Sequence, residues 1–398
     1  MARPSTLAFL KTETGAGAVL ALAALAAVIL ANSPLAHVYF GLIHAPFVVR
    51  VGAFDQTRDV LSWIRDGLMA VFFLVVGMEI KFEVLRGEFS SPRRVALPIL
   101  AALGGMAGPA AVYLAVNARP GGVPSGWPIP TPTDVAFSLA ALAVFGRRLP
   151  ESLRLFLLTL AVADDLGAIA VIGVLFTTPI HTASLTGAVL TLGVLAALSR
   201  WKTAPRMLYA AGFVLVWAFT LQSGISTSVA GIACALTVPV ASRRADQESV
   251  LKTFMDGLHP YVAYGVLPLF AFASAGFSLP ALGWRAAFSP IPLGVALGLL
   301  LGKPLGVLGF SALSVALRLG RRPLGATWLE LSGVALLCGA GFTMSFFLAA
   351  LAFPTDELVQ GQLRAAVIAG SLISVLAAGA VLRRAQAIRD AAPPGPPM

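Results

Sequence analysis

Apolar residues in this chain come in long continuous runs, neither in strict alternation nor as a stripe along one helical face. Runs begin near residues 14, 66, 95, 133, 153, 182, 206, 224, 258, 290, 327 and 359. Most approach the roughly 20 residues that a helix needs to cross a bilayer. Hydrocarbon offers no partner to bare N–H and C=O groups, so spans of this kind are helices, whose backbone groups pair internally. The pattern predicts an all-α polytopic protein of about twelve transmembrane helices, as one domain over residues 1–388. The proline-rich stretch Pro393 to Pro397 cannot continue a helix, and residues 389–398 read as a disordered cytoplasmic tail. The first run, Ala16 to Ala31, has the outline of a signal peptide; eleven further runs favour an uncleaved first helix.

Two runs are interrupted. The fourth opens on Pro128, Pro130 and Pro132, alternate prolines that forbid a regular helix, followed by Thr133 and Asp134. The eleventh contains Gly339 and Gly341, which weaken a helix in its middle. Unwound backbone at membrane depth survives only where protein or a water-filled cavity covers it. The two breaks lie in the middle of two three-helix groups, residues 95–176 and 290–382. Six spans separate the third from the tenth, so the groups would be inverted repeats. Broken helices at matching places in such repeats point to a transporter site.

Composition narrows the class and charge sets the orientation. At 58% hydrophobic and 12% charged residues, a chain of 398 residues is no soluble domain. The net charge of +10 is spread along the chain and makes no nucleic-acid patch. Placing the N-terminus in the cytoplasm leaves Arg50, Arg58, Arg65, Arg119, Arg285 and Arg364 outside and Lys303 inside a span. The other 21 of the 28 basic residues fall on the cytoplasmic side, which satisfies the positive-inside rule with both termini cytoplasmic. Cys234 and Cys338 lie within spans and read as buried packing residues.

Ionisable groups inside the spans carry the chemistry. Asp164 and Asp165 occupy the middle of the fifth run, Asp134 the start of the fourth half-helix, and Lys303 the centre of the tenth. Charges at such depth are costly and mark ion or proton paths. Two neighbouring carboxylates in a poorly solvated place cannot both ionise freely, which builds in a proton-binding step. Deprotonated, the same oxygens suit a small hard cation. Proton and cation then compete for one site. Adjacent helical residues point about 100° apart, so Asp164 and Asp165 have different partners. Thr133 or Asp134 is also a candidate N-cap, and Lys303 a salt-bridge partner for a carboxylate, in a structural or a proton-carrying role.

Glu79, Lys81 and Glu83 end the second span, either as a solvated interfacial cluster or as a cation-attracting, pH-responsive funnel. His259 at the ninth span is equally open, as an interfacial residue or as a pH sensor. The loop from Phe47 to Phe54 is β-branched and Gly-punctuated, compatible with a short outer hairpin or an irregular loop.

The stretches from Gly67 to Leu74, Thr131 to Phe137, Ala163 to Ile169, His259-Pro260 with Leu267 to Ala273, Gly302 to Gly306, and Cys338 to Ser345 together resemble the NhaA-type sodium/proton antiporters. The resemblance covers most of the chain and keeps its order. That family is itself a known case of inverted repeats, so the repeat reading is not independent of it. The resemblance implies a bacterial inner-membrane protein, often dimeric, whose fourth and eleventh helices cross as broken chains. It implies exchange of internal Na⁺ or Li⁺ for more than one external proton, driven by the membrane potential, with no cofactor. Asp164 and Asp165 match the cation and proton carriers, Thr133 and Asp134 the flanking polar site, and Lys303 the partner of Asp164. The loop from Phe47 to Phe54 matches a dimerising hairpin. Glu79, Glu83, Lys252 and His259 match residues of the pH response, whereas Ser226, Met255, Asp256 and Phe82 depart from that pattern. These departures bear on alkaline activation rather than on exchange.

Two other classes compete. An intramembrane aspartyl protease would pair Asp134 with Asp165, but no Gly-x-Gly-Asp segment accompanies them and a buried lysine has no place in that chemistry. A cation-coupled symporter also uses broken helices and would require its solute for ion flux.

Overall fold

The computed structural model describes residues 13–51, 54–87, 92–176, 180–200, 205–240, 249–283 and 288–391. In chain order the elements are α1 (Glu13–Ala31), α2 (Ala36–Ile43), β1 (Pro46–Val51), β2 (Phe54–Asp59), α3 (Val60–Trp63), a π-turn (Ile64–Leu68) and α4 (Met69–Arg86). Then follow α5 (Pro92–Asn117), a 3₁₀ turn (Pro124–Gly126), α6 (Val135–Phe145), α7 (Glu151–Leu175), α8 (Thr182–Leu198), α9 (Arg206–Ser223) and α10 (Thr227–Thr237). The last are α11 (Val250–Tyr261), a π-turn (Val262–Val266), α12 (Leu267–Ala275), α13 (Leu279–Leu282), α14 (Pro290–Leu297), a π-turn (Gly298–Gly302), α15 (Lys303–Ala316), α16 (Trp328–Leu337), α17 (Phe342–Ala352) and α18 (Glu357–Ala391).

Each of the twelve apolar runs contains a helix or a joined pair. Among the described residues, α1, α5, α7, α11 with α12, α14 with α15, and α18 are each long and apolar enough to cross a membrane. The pair α16–α17 is long and apolar enough only when its two helices are taken together, and it is bent by 44° at its break. Shorter apolar helices are α6, α8, α9 and α10. In α4 the charged residues Glu79, Lys81, Glu83 and Arg86 occupy the last turns. Two π-turns precede prolines, Pro268 and Pro304. Proline lacks the N–H for the regular bond and crowds the carbonyl four residues back, and a one-residue widening accommodates both defects.

The chain divides into two compact units. The first comprises Met1–Ala21, Ser91–Asp165 and Leu279–Met398. Its core gathers Leu97, Ala101, Leu157, Leu331, Val334 and Leu382, all buried. Here α5 packs on α14 and α15, and α18 packs on α14, α16 and α17. The contact of α5 with α15 is backbone on backbone. A Cβ on Gly104 would strike the Gly306 carbonyl, one on Gly108 the Gly302 carbonyl, and one on Gly302 the Cα of Pro109. Small residues four apart on both helices allow this approach, as in membrane helix pairs generally. α18 continues to Ala391, three residues into the stretch expected as tail; residues 392–398 of that tail lie outside the described residues. Two ion pairs explain the extra turn. Arg389 makes a bidentate bond to Glu330 (Nε to Oε1 2.9 Å, Nη2 to Oε2 2.9 Å) and donates to the Gly325 carbonyl at 2.6 Å. Arg148 reaches Asp390 at 2.7 Å. Glu330 also closes a capping box with Thr327 at the start of α16.

The second unit comprises Leu22–Ser90 and Leu166–Ser278. Its tightest packing is α4 against α10, where Gly77 lies on Ile232 and Ala235, and Gly231 lies on the backbone of Ala70 and Leu74. Lys81 donates to the carbonyls of Leu236 (2.5 Å) and Val238 (2.7 Å), which satisfies acceptors at the C-terminus of α10. The loop anticipated around Phe47 to Phe54 is an antiparallel hairpin, with Pro46 opposite Asp59 and Val51 opposite Phe54. Residues 52–53 at its tip lie outside the described residues. Across the strands Arg50 bonds Asp55 at 2.8 Å, and at the base His44 meets Asp59 at 3.3 Å. Phe47 and Val48 are exposed.

Candidate cation and proton site

The site forms in the first unit, where the chain entering α6 crosses the break between α16 and α17. Alternate prolines keep residues 127–134 in turns and extended backbone, and α6 starts only at Val135. The other chain stops at Leu337 and restarts at Phe342. Both ends expose groups that lack intrahelical partners. They satisfy one another. Thr133 Oγ1 donates to the Cys338 carbonyl (3.1 Å), Ser138 Oγ to the Leu337 carbonyl (2.9 Å), and the Asp134 N–H to the Ala340 carbonyl (2.7 Å).

Asp134 is the hinge pin of this crossing. Its Oδ1 accepts the Phe137 N–H at 3.0 Å, which makes it the N-cap of α6. Its Oδ2 accepts both the N–H (3.1 Å) and the hydroxyl (2.6 Å) of Thr343, in the first turn of α17. One carboxylate thus stands at the positive ends of two half-helices and offsets both dipoles.

Asp164 and Lys303 are both fully buried, at 0% exposure, and pair at 2.5 Å through Oδ2 and Nζ. Nζ also donates to the Thr131 carbonyl, in the turn just ahead of Thr133. Thr133 lies beside the same carboxylate. Asp164 Oδ1 has no hydrogen-bond partner among the described residues. Lys303 follows the π-turn directly, and its stem passes the bare backbone of Gly105: a Cβ there would lie 3.5 Å from Cε and 3.7 Å from Nζ. Asp165 is buried on the neighbouring face of α7. The three acids do not converge: among the described residues no group of three or more His, Cys, Asp or Glu side chains could hold a metal ion together.

The remaining sequence-derived residues belong to the second unit. Glu79 and Glu83, one turn apart on α4, are half-buried; Lys252 is half-buried and His259 exposed on α11, which packs against α4. Both cysteines are buried and free.

Three groups at the crossing escaped the sequence reading: Ser138, the Thr343 hydroxyl as partner of Asp134, and the glycine pairs that seat Lys303. The last left a legible mark, since Gly104 with Gly108 and Gly302 with Gly306 are both small residues four apart.

A family model described as Na⁺/H⁺ antiporter 1 matches residues 7–382. The chain belongs to that family. It is 43% identical to Na(+)/H(+) antiporter NhaA 1 of Syntrophotalea carbinolica, over 97% of this chain and 98% of that protein. It is 44% identical to Na(+)/H(+) antiporter NhaA of Pseudomonas putida, over 94% and 95% of the two chains. Against Na(+)/H(+) antiporter NhaA of Sphingopyxis alaskensis the identity is 44%, over 96% and 91%. Members of the Na⁺/H⁺ antiporter 1 family are secondary transporters, which sets aside the protease reading of Asp134 and Asp165. The chain is a multi-pass membrane protein.

Proposed function

We propose that this chain is an electrogenic antiporter that exports Na⁺ or Li⁺ in exchange for external protons by alternating access, serving sodium and pH homeostasis. The observation that carries the mechanism is the buried pair of Asp164 and Lys303 beside Asp165. A cation at Asp164 shares one buried carboxylate with the Lys303 ammonium and with any proton bound there, so each positive charge opposes the loading of the others. Protons from outside load Asp165 and either Asp164 or Lys303. The site then faces the cytoplasm, releases them, and binds Na⁺ at the freed carboxylates for the return. Thr133 and Asp134 hold the crossing open to that traffic. Two protons against one Na⁺ move one net charge, worth about 2.3 kcal/mol per 100 mV. The cation is cargo, and the chemistry needs no cofactor.

The relatives' names and the intramembrane carboxylates support exchange over a solute symporter, which would need its solute for ion flux. The surrounding assignments complete the reading: a bacterial inner membrane, both termini cytoplasmic, inverted repeats around residues 95–176 and 290–382, and a homodimer through the hairpin near Phe47 to Phe54. Glu79, Glu83, Lys252 and His259 form the pH-responsive group. Vesicle assays of Na⁺-dependent proton flux test the core of this: Asp165→Asn abolishes exchange, and full flux in that variant would end the mechanism.

A further inference from the structure

Helix α15 ends at Ala316 and α16 begins at Trp328. The chain of α14 and α15 is long and apolar enough to cross a membrane, and so are α16 and α17 taken together. The loop of residues 317–328 joins the two and therefore lies at a membrane surface. Arg318, Arg321 and Arg322 in it are all exposed. None of the three has a carboxylate at ion-pair distance among the described residues. Two acids of this end are already paired, Glu330 with Arg389 and Asp390 with Arg148. Exposed Glu151 stands beside Ser152, whose hydroxyl donates to the Leu324 carbonyl at 2.8 Å. One carboxylate against three guanidinium groups leaves the loop positive.

The backbone of the loop is held in an uncommon shape. Among the described residues, Arg318 alone of the non-glycine residues has a positive φ, at 57°. It closes α15, with its own N–H on the Val315 carbonyl (3.1 Å) and the Leu319 N–H on the Ser314 carbonyl (3.0 Å). Glycine usually occupies such a helix end, because an L side chain there is strained. Strain of this kind gathers at functional places. Arg389 pins the other end of the loop through the Gly325 carbonyl, and the Arg322 guanidinium lies 6.0 Å over the Trp328 ring.

Charge alone would satisfy topology. This loop also bares Leu317, Leu319 and Leu324, the last 86% exposed, together with Trp328. Leucines so placed are costly in water, whereas the boundary between headgroups and acyl chains accommodates them beside arginines. We propose that the loop of residues 317–328 binds an anionic phospholipid, with Arg318, Arg321 and Arg322 on the headgroup phosphate and the exposed leucines and Trp328 against the upper acyl chains. A zwitterionic lipid carries its own cation, which the three arginines repel.

The test uses the full-length chain in phosphatidylcholine vesicles containing graded fractions of phosphatidylglycerol, with one lipid or the other brominated near the head of its acyl chains. The fluorescence of Trp328 is isolated as the difference between wild type and Trp328→Phe. A basic residue near the membrane surface is worth about a fivefold preference for anionic lipid. Brominated phosphatidylglycerol should therefore quench Trp328 at about one-fifth or less of the mole fraction that brominated phosphatidylcholine needs. The variant Arg318→Gln/Arg321→Gln/Arg322→Gln should bring the two lipids to parity, its quenching by brominated phosphatidylcholine showing that it is inserted. A wild-type preference below about twofold, or a preference unchanged in the triple variant, overturns the proposal. So does loss of the preference in excess inorganic phosphate at constant ionic strength, which would make the loop a site for the free anion.

Discussion

Replacing Asp134 with asparagine keeps the size and shape of the side chain and removes one acceptor. In the native crossing, Oδ1 serves the Phe137 N–H and Oδ2 serves the N–H and hydroxyl of Thr343. The asparagine has one oxygen and one amide nitrogen. If the oxygen turns to Phe137, the NH₂ faces the Thr343 N–H; if it turns to Thr343, the NH₂ faces the Phe137 N–H. The Thr343 hydroxyl can reverse and accept, but a backbone N–H cannot. Either rotamer leaves one buried N–H unsatisfied, at about 1–3 kcal/mol. Loss of the negative charge between two helix N-termini adds about 0.3–1 kcal/mol for each. The sum is about 2–5 kcal/mol. Equilibrium unfolding in mixed detergent micelles should show a loss of that size for Asp134→Asn, and a smaller loss for Thr343→Val, which sacrifices only the hydroxyl donor. Stability of Asp134→Asn within about 0.5 kcal/mol of wild type would refute the donor count and with it the role of Asp134 as pin of the crossing.

Gly306→Val should separate α5 from α15, because a side chain there meets the Gly104 carbonyl; unfolding should reveal a loss of at least about 1–3 kcal/mol, and exchange should fall with it as Lys303 leaves Asp164. Arg389→Ala leaves Glu330, 1% exposed, without its ion partner. The loss should be about 2–3 kcal/mol, below that of a fully enclosed pair because Arg389 is 35% exposed, and Arg148→Ala, removing an exposed pair, should cost under about 1 kcal/mol in the same assay. At the hairpin, burial works against the charge of Asp59, yet its bonds to Ser62 and the nearby His44 hold its pKa below the ordinary carboxylate value. The stabilisation is therefore complete above that ordinary value, near 4, and is lost as pH falls through the lower folded pKa. Protection of the Ser62 amide against hydrogen exchange should drop over that acid window in wild type and be flat in Asp59→Asn.

Long-range hydropathy revealed the spans because lipid enforces internally bonded backbone, so the pattern has one meaning over twenty residues. The breaks were equally legible: Pro128, Pro130 and Pro132 remove donors, and Gly339 and Gly341 lower helix propensity, wherever the rest of the chain lies. The hairpin remained ambiguous between strand and loop, since a two-stranded ribbon draws its order from contacts such as Trp63 Nε1 to the Phe47 carbonyl (2.9 Å), outside its own alternation. Lys303 called for a carboxylate partner, and its own segment could not say which of three acids would meet it. The contacts of Lys81 with the end of α10 span 155 and 157 residues of chain and leave no local trace. The last turn of α18 was misjudged because a proline-rich end says where a helix must stop, while Glu330 decides how far it runs.

The backbone contact of α5 with α15 has a further consequence for Lys303. Between Gly104, Gly108, Gly302 and Gly306 the two backbones meet directly, with Phe310 packed beside Gly104, so any side chain added at these glycines forces the pair apart. The lysine's point of attachment is therefore held close against α5. Its four methylenes run past Gly105, where a side chain would press on Val307 and on the lysine stem itself, so the route of the amine is set by a residue that offers it no competing atom.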